Sequence, residues 1–150
     1  MIEIKVALYQ ACVEYVEERI NRAKANIKAA QEASNSETKS SAGDKYETAR
    51  AMAQLEKEKA LGQLNESAKL KKALELIHPD KPMAQAELGS LVLTSAGNFY
   101  LSIGAGKLQH EGQIYFALSP ASPLGQQIIG KKAGDQYTIN GKKVSIKAIY

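Results

Sequence analysis

The chain has 150 residues, enough for one medium domain or two small ones, and its formal charge of +4 is only mildly basic, too weak alone to indicate DNA or RNA binding. A single cysteine, Cys12, excludes an intrachain disulfide. No apolar run approaches the ~18 residues of a membrane span and no signal peptide precedes the first charges, so a cytoplasmic location is expected.

Residues from about Glu3 to Glu32 fit a helix. Val6, Tyr9, Val13, Val16, Ile20, Ala23, Ile27 and Ala30 alternate by three and four, the seam of a helix packed along one partner. The seam thins from Val and Ile to Ala, which lets two helices approach closely. The opposite face carries Glu14, Glu17, Glu18, Arg22 and Lys28 and reads as solvated. Cys12, between Ala11 and Val13, reads as an unreactive thiol partly packed in the helix.

The stretch Ala33 to Gly43 breaks the pattern. Its Ser, Asn and Thr side chains compete for backbone hydrogen bonds, and it closes with a glycine. Asp44 then stands where an N-cap belongs, with Glu47 three residues on, a capping-box spacing worth about 1 kcal/mol. A second helix is predicted from there to about Ile77, with Tyr46, Ala49, Ala53, Ala60, Leu64, Ala68 and Leu74 toward the first and Gly62 weakening its middle. Folded back on each other, the arms make an antiparallel hairpin on the order of 45–50 Å long. The carboxylates of Asp44 and Glu47 sit at its exposed tip, a poor place for folding and a good one for delivery to another molecule.

Pro79 and Pro82 mark a change from helix to turn chemistry, and domains of 1–80 and 84–150 are expected. Thirteen of the sixteen acids and fourteen of the twenty basic residues precede Met83, so the first part is charge-dense and nearly balanced, as a solvated coiled coil is. Beyond it, Leu88–Thr94, Phe99–Ile103, Ile114–Leu118, Gln136–Ile139 and Val144–Ile149 read as strands, and Asn140-Gly141 as a type I′ hairpin turn. Phe99, Leu101 and Ile103 can share one face, Ile114, Phe116 and Leu118 another, and Val144, Ile146 and Ala148 a third. Leu124–Ile129 is a short helix with Ser122 as N-cap, Pro123 at its first position, and Ile128 and Ile129 pinning it to the sheet. The expected class is α+β: a helical hairpin followed by a small antiparallel sheet with one short helix.

The segment Ser119–Asp135, SPASPLGQQIIGKKAGD, resembles the C-terminal signature of the bacterial Gre transcript-cleavage factors, through Ser122, Pro123, Leu124, Ile129, Gly130, Lys131, Gly134 and Asp135. Leu88-Gly89-Ser90-Leu91-Val92 is similar to the start of that family's C-terminal domain. Gly43-Asp44-Lys45-Tyr46-Glu47-Thr48 reproduces the glycine, aspartate and glutamate of its G-D-x-x-E-N tip motif. The resemblance spans essentially the whole chain. It implies an FKBP-like C-terminal domain and a monomer that binds RNA polymerase, inserts the hairpin into the secondary channel and stimulates cleavage of backtracked RNA near its 3′ end. Asp44 and Glu47 would there help hold a Mg²⁺ ion shared with the polymerase, while Ser122, Pro123 and Leu124 would contact the rim of the channel. The protein would be an accessory factor, not an enzyme in isolation.

Departures from the family pattern lie at the tip, where Thr48 replaces the asparagine and Lys45 and Tyr46 stand between the acids. The lysine places a positive charge beside them, which weakens attraction for a metal ion. The family's basic position beyond the tip falls near Leu55, with Arg50 one turn earlier, and its acidic G-x-x-E-A-D loop is replaced by Gly104 to Gly112. His78 and His110 have no cysteine partners and do not suggest a metal site. Two rival readings stay open: a regulator of the same channel that does not promote cleavage, and a self-associating coiled-coil adaptor.

Overall fold

The computed structural model describes residues 1–37 and 43–150, with Ser36, Glu37 and Asp44 by backbone only. Its order is α1 (Ile2–Glu37), α2 (Gly43–Glu75), β1 (Leu91–Thr94), β2 (Gly97–Leu101), β3 (Gly106–His110), β4 (Gln113–Leu118), α3 (Pro123–Ile128), β5 (Gln136–Ile139) and β6 (Lys142–Ile149). The class is α+β, with two long helices packed together, a six-stranded, mostly antiparallel sheet and one short helix. The described chain divides into two compact units, Val16–Lys71 and the remainder, Met1–Tyr15 with Lys72–Tyr150.

In the first unit α1 and α2 run antiparallel along a seam of small side chains. Val16, Ala23 and Ala30 of α1 are buried, and so are Ala53, Ala60 and Ser67 of α2. Lys57 Nζ donates to Gln31 Oε1 at 2.8 Å across the pair. The seam runs through Ser67 rather than the expected Ala68, which is exposed. Ser67 is admitted because its hydroxyl donates to the Gln63 carbonyl at 2.8 Å, so no polar group is buried unpaired. Helix α1 runs five residues beyond the expected Glu32, into the Ser/Asn segment. The rest of that expected breaker, residues 38–42, lies outside the described residues.

In the second unit the strands lie in the order β3-β4-β2-β1-β6-β5, all pairs antiparallel except β2 with β4. One face of the sheet carries Val92, Phe99, Leu101, Val144, Ile146 and Ile149, closed by Ile128 and Leu124 from α3. Asn140 and Gly141 both take positive φ, 51° and 77°, in a two-residue turn between Ile139 and Lys142, as a type I′ hairpin requires.

The sheet module and the base of α1 differ further from the sequence reading. Strand β3 occupies most of the Gly104–Gly112 stretch and pairs with β4 through a two-residue Glu111-Gly112 turn. Ile114 and Phe116 share the Phe99 face, but each is 41% exposed, because the cover from α3 does not reach the β3 edge; Tyr115 and Ala117 are the buried residues of β4. Ile129 is likewise exposed, so of the two isoleucines only Ile128 anchors α3, together with Leu124. In α1, Val6 is 44% exposed, and Lys5, Leu8 and Cys12 point inward instead.

The base of α1 packs in this unit through polar bonds as well as apolar area. Lys5 is fully buried and its Nζ donates to the Lys81 carbonyl at 2.6 Å. Burial lowers its pKa from 10.5, opposed by the nearby carboxylates of Asp80 and Glu87. Tyr9 donates its hydroxyl to the Leu74 carbonyl at 3.2 Å. Cys12 Sγ lies 3.5 Å from Ser102 Oγ, at the end of β2. Tyr100, opposite Leu91 in the sheet, is buried beside them, and its hydroxyl has no hydrogen-bond partner among the described residues.

Helix α3 begins as its sequence dictates. Ser122 Oγ accepts from Gly125 N at 3.1 Å and donates to the Ser119 carbonyl at 2.7 Å, with Pro123 at the first helical position. Gly125 is required by space: a Cβ there would collide with the Ser119 carbonyl oxygen and stand 2.9 Å from Pro120 backbone atoms.

Two predictions follow from this packing. Gly125→Ala should lower stability by about 2–3 kcal/mol in urea denaturation, since backbone and not a flexible side chain blocks the added methyl. Burial also pushes the Cys12 thiol above its ordinary 9.0, against a smaller pull from Ser102. The folded chain then keeps a proton that the unfolded chain releases, so this stabilisation is complete below pH 9.0 and is lost as pH rises through the raised value. Tyr100 acts in the same sense from 10.0 upward, and Lys5 in the opposite sense as pH rises toward 10.5. Between about pH 8.5 and pH 10 the urea midpoint of Cys12→Ala should therefore fall less steeply than that of the wild type.

Candidate functional site

Glu47 and Asp44 lie at the start of α2. The helix begins at Gly43, so Asp44 falls inside the first turn rather than ahead of it. A carboxylate there is favoured by the partial positive charge of unpaired backbone N–H groups. The side chain of Asp44 lies outside the described residues, and with it the reciprocal bonds of the expected capping box. Glu47, one turn on, is exposed, as are Lys45 and Thr48. Residues at this spacing occupy neighbouring positions on a helix surface.

Tyr46, half-buried on the seam side, accepts a hydrogen bond from Arg50 Nη1 at 3.2 Å. The nearest guanidinium is therefore bonded within its own helix, one turn from Glu47. Leu55, where the family pattern expects a base, is exposed and apolar. The start of α2 thus presents an acid at Glu47, an ammonium at Lys45 and an aromatic ring between them.

The three residues expected to contact a partner have distinct surroundings. Ser122 is committed to the α3 cap, Leu124 packs against the core, and Pro123 is exposed. Much of the segment carrying the family resemblance serves the fold in the same way. Gly130 N donates to the Ala86 carbonyl at 2.7 Å, Ala86 N to the Lys131 carbonyl at 2.8 Å, and Lys132 N to Asp135 Oδ2 at 2.8 Å. Exposed Gln85 adds a bond from Nε2 to the Gly130 carbonyl at 2.7 Å. These bonds tie the strand-like residues Gln85 and Ala86 to the exit of α3, a role that no feature of the sequence around Ala84–Glu87 announces.

No group of three or more His, Cys, Asp or Glu side chains able to hold a metal ion occurs among the described residues. The donor chemistry at the start of α2 still fits a hard cation: Glu47 offers carboxylate oxygens to solvent, and Asp44 adds a second carboxylate three residues away. Two carboxylates would supply only part of a Mg²⁺ coordination shell. No described helix is long and apolar enough to cross a membrane. No protein-family model, curated protein or solved structure matches this chain.

Proposed function

We propose that the protein is a Gre-like transcription elongation factor, which binds RNA polymerase, enters its secondary channel with the α1–α2 hairpin, and stimulates the polymerase's own cleavage of backtracked RNA. The observation that carries this reading is the exposed Glu47 in the first turns of α2, three residues from Asp44, on a helix pair that precedes a sheet module with the Ser122-capped α3. It is supported by the resemblance of Gly43–Thr48 and Ser119–Asp135 to the two family motifs.

In this reading Asp44 and Glu47 would help hold a Mg²⁺ ion shared with the polymerase, and the ion would supply Lewis-acid stabilisation of charge in the cleavage of the RNA. The chain itself contributes charge and position: the helix start carries both acids three residues apart, and the small-residue seam keeps the arms close. Pro123 gives the sheet module an exposed apolar contact at the channel rim, with Ser122 and Leu124 holding it in place. The factor is not an enzyme alone, and it acts as a monomer in the cytoplasm.

The test is a stalled, backtracked elongation complex with end-labelled RNA. Wild-type protein should shorten the transcript, and Asp44→Ala with Glu47→Ala should slow cleavage by roughly a hundredfold, about 2.7 kcal/mol at the barrier. Glu66→Ala, which removes another exposed acid of α2, should leave the rate unchanged. Binding without any shortening would overturn the cleavage reading in favour of a channel regulator. Absence of binding to core polymerase would remove both.

A further inference from the structure

The two outer strands of the sheet are finished differently. Along β5 the face is closed by α3, and Tyr137 is buried there. Along β3 no described element closes it, and Ile114 and Phe116 on the neighbouring β4 are each 41% exposed. The register sets Lys107 opposite Phe116 and Gln109 opposite Ile114, so these four side chains share that face. Among the described residues the backbone of β3 is bonded by β4 alone, which leaves alternate N–H and C=O groups open along its outer side. Lys107 is exposed and forms no ion pair with a described residue.

We propose that the β3 edge takes an extended peptide of a partner protein as an added strand, and that this peptide carries an acid with a long apolar side chain two residues away. An extended chain matches a strand edge because its own N–H and C=O groups repeat at the spacing of the ladder. The added strand lies about 4.8 Å from β3, and its alternate side chains stand over the same face. A carboxylate opposite Lys107 meets the ammonium, and a leucine opposite Gln109 leans toward Ile114 and Phe116. Main-chain bonds supply affinity, and these two contacts supply selectivity. Phe99 on β2 backs the platform, its ring centroid 6.2 Å from that of Phe116. The surface uses none of Asp44, Glu47 or Ser122 to Leu124, so the proposal does not rest on the cleavage reading.

The test uses the full chain without polymerase. The probe is a terminally blocked peptide of threonines with one central glutamate and a leucine two residues to either side, which fits both strand directions. In NMR titration, saturable shifts confined to residues 106–110, 114 and 116 are expected, with slower amide exchange along β3. Ile114→Ala with Phe116→Ala should weaken binding by at least about tenfold, and Lys107→Gln by about threefold with loss of its salt dependence. Met52→Ala with Leu61→Ala, which removes exposed apolar side chains of α2, should leave the affinity unchanged. N-methylation of alternate peptide residues, in the two possible phases, should abolish binding in one phase. Equal binding by both N-methylated forms, or by a peptide with lysine in place of glutamate, would overturn the proposal. So would shifts that do not saturate or that spread over exposed apolar residues at large. A dimer of the chain alone that Ile114→Ala with Phe116→Ala dissolves would give the edge to a second copy and overturn it as well.

Discussion

The described structure depends on how the first turns of α1 are tied down. A pair of long helices with an alanine-rich seam buries little apolar area per residue, so its stability rests on where its ends are anchored. Here the anchor mixes apolar packing with directed bonds: Leu8 is buried, Lys5 grips the Lys81 carbonyl, Tyr9 reaches the Leu74 carbonyl, and Cys12 meets Ser102. A lysine removed from water tolerates that only with a partner, and the carbonyl plus the fields of Asp80 and Glu87 supply it. The Tyr100 hydroxyl, buried beside Cys12 and without a hydrogen-bond partner among the described residues, is a cost of the same joint, on the order of 1–3 kcal/mol.

This arrangement separates folding duties from exposed chemistry. In the sheet module, Ser122, Gly125 and Asp135 are committed to a cap, a close backbone approach and a turn. Outward-facing apolar groups of the module include Pro123 and the partly covered Ile114, Phe116 and Ile129. At the start of α2, Tyr46 and Arg50 bond to each other while Glu47 and Lys45 face solvent. An acid and an ammonium two residues apart pull a cation in opposite senses. The proposed role therefore requires the polymerase to supply both the remaining ligands and the field that favours the metal ion.

The fold was largely legible because its strongest signals are local. The 3-4 spacing located both helices, Ser122-Pro123 located the start of α3, and Asn140-Gly141 placed the turn between β5 and β6. Strand β3 was not legible: Gly106–His110 is polar and glycine-flanked, and Glu-Gly is a weaker turn signal than Asn-Gly. Period-two alternation put Ile114 and Phe116 on one face, but which part of a face is covered depends on how far a six-residue helix extends over the sheet. Ser67 and Lys5 were missed because polar side chains are read as outward by default, whereas each is drawn inward by one backbone carbonyl. At the candidate site, residue types and spacing were readable, and the exposure of Glu47 agrees with them. The chemistry assigned to the pair came from the resemblance, since two acids at a helix start are equally an ordinary cap.

The measurement that bears most directly on the proposed function is a crosslink from the start of α2. Cys12 is fully buried, so Glu47→Cys provides one accessible thiol for a short photoactivatable reagent. In a backtracked elongation complex the account predicts a crosslink to the RNA near its 3′ end or to the polymerase's catalytic centre. Crosslinks only to the outer surface of the polymerase, or none in a complex that has formed, would contradict it.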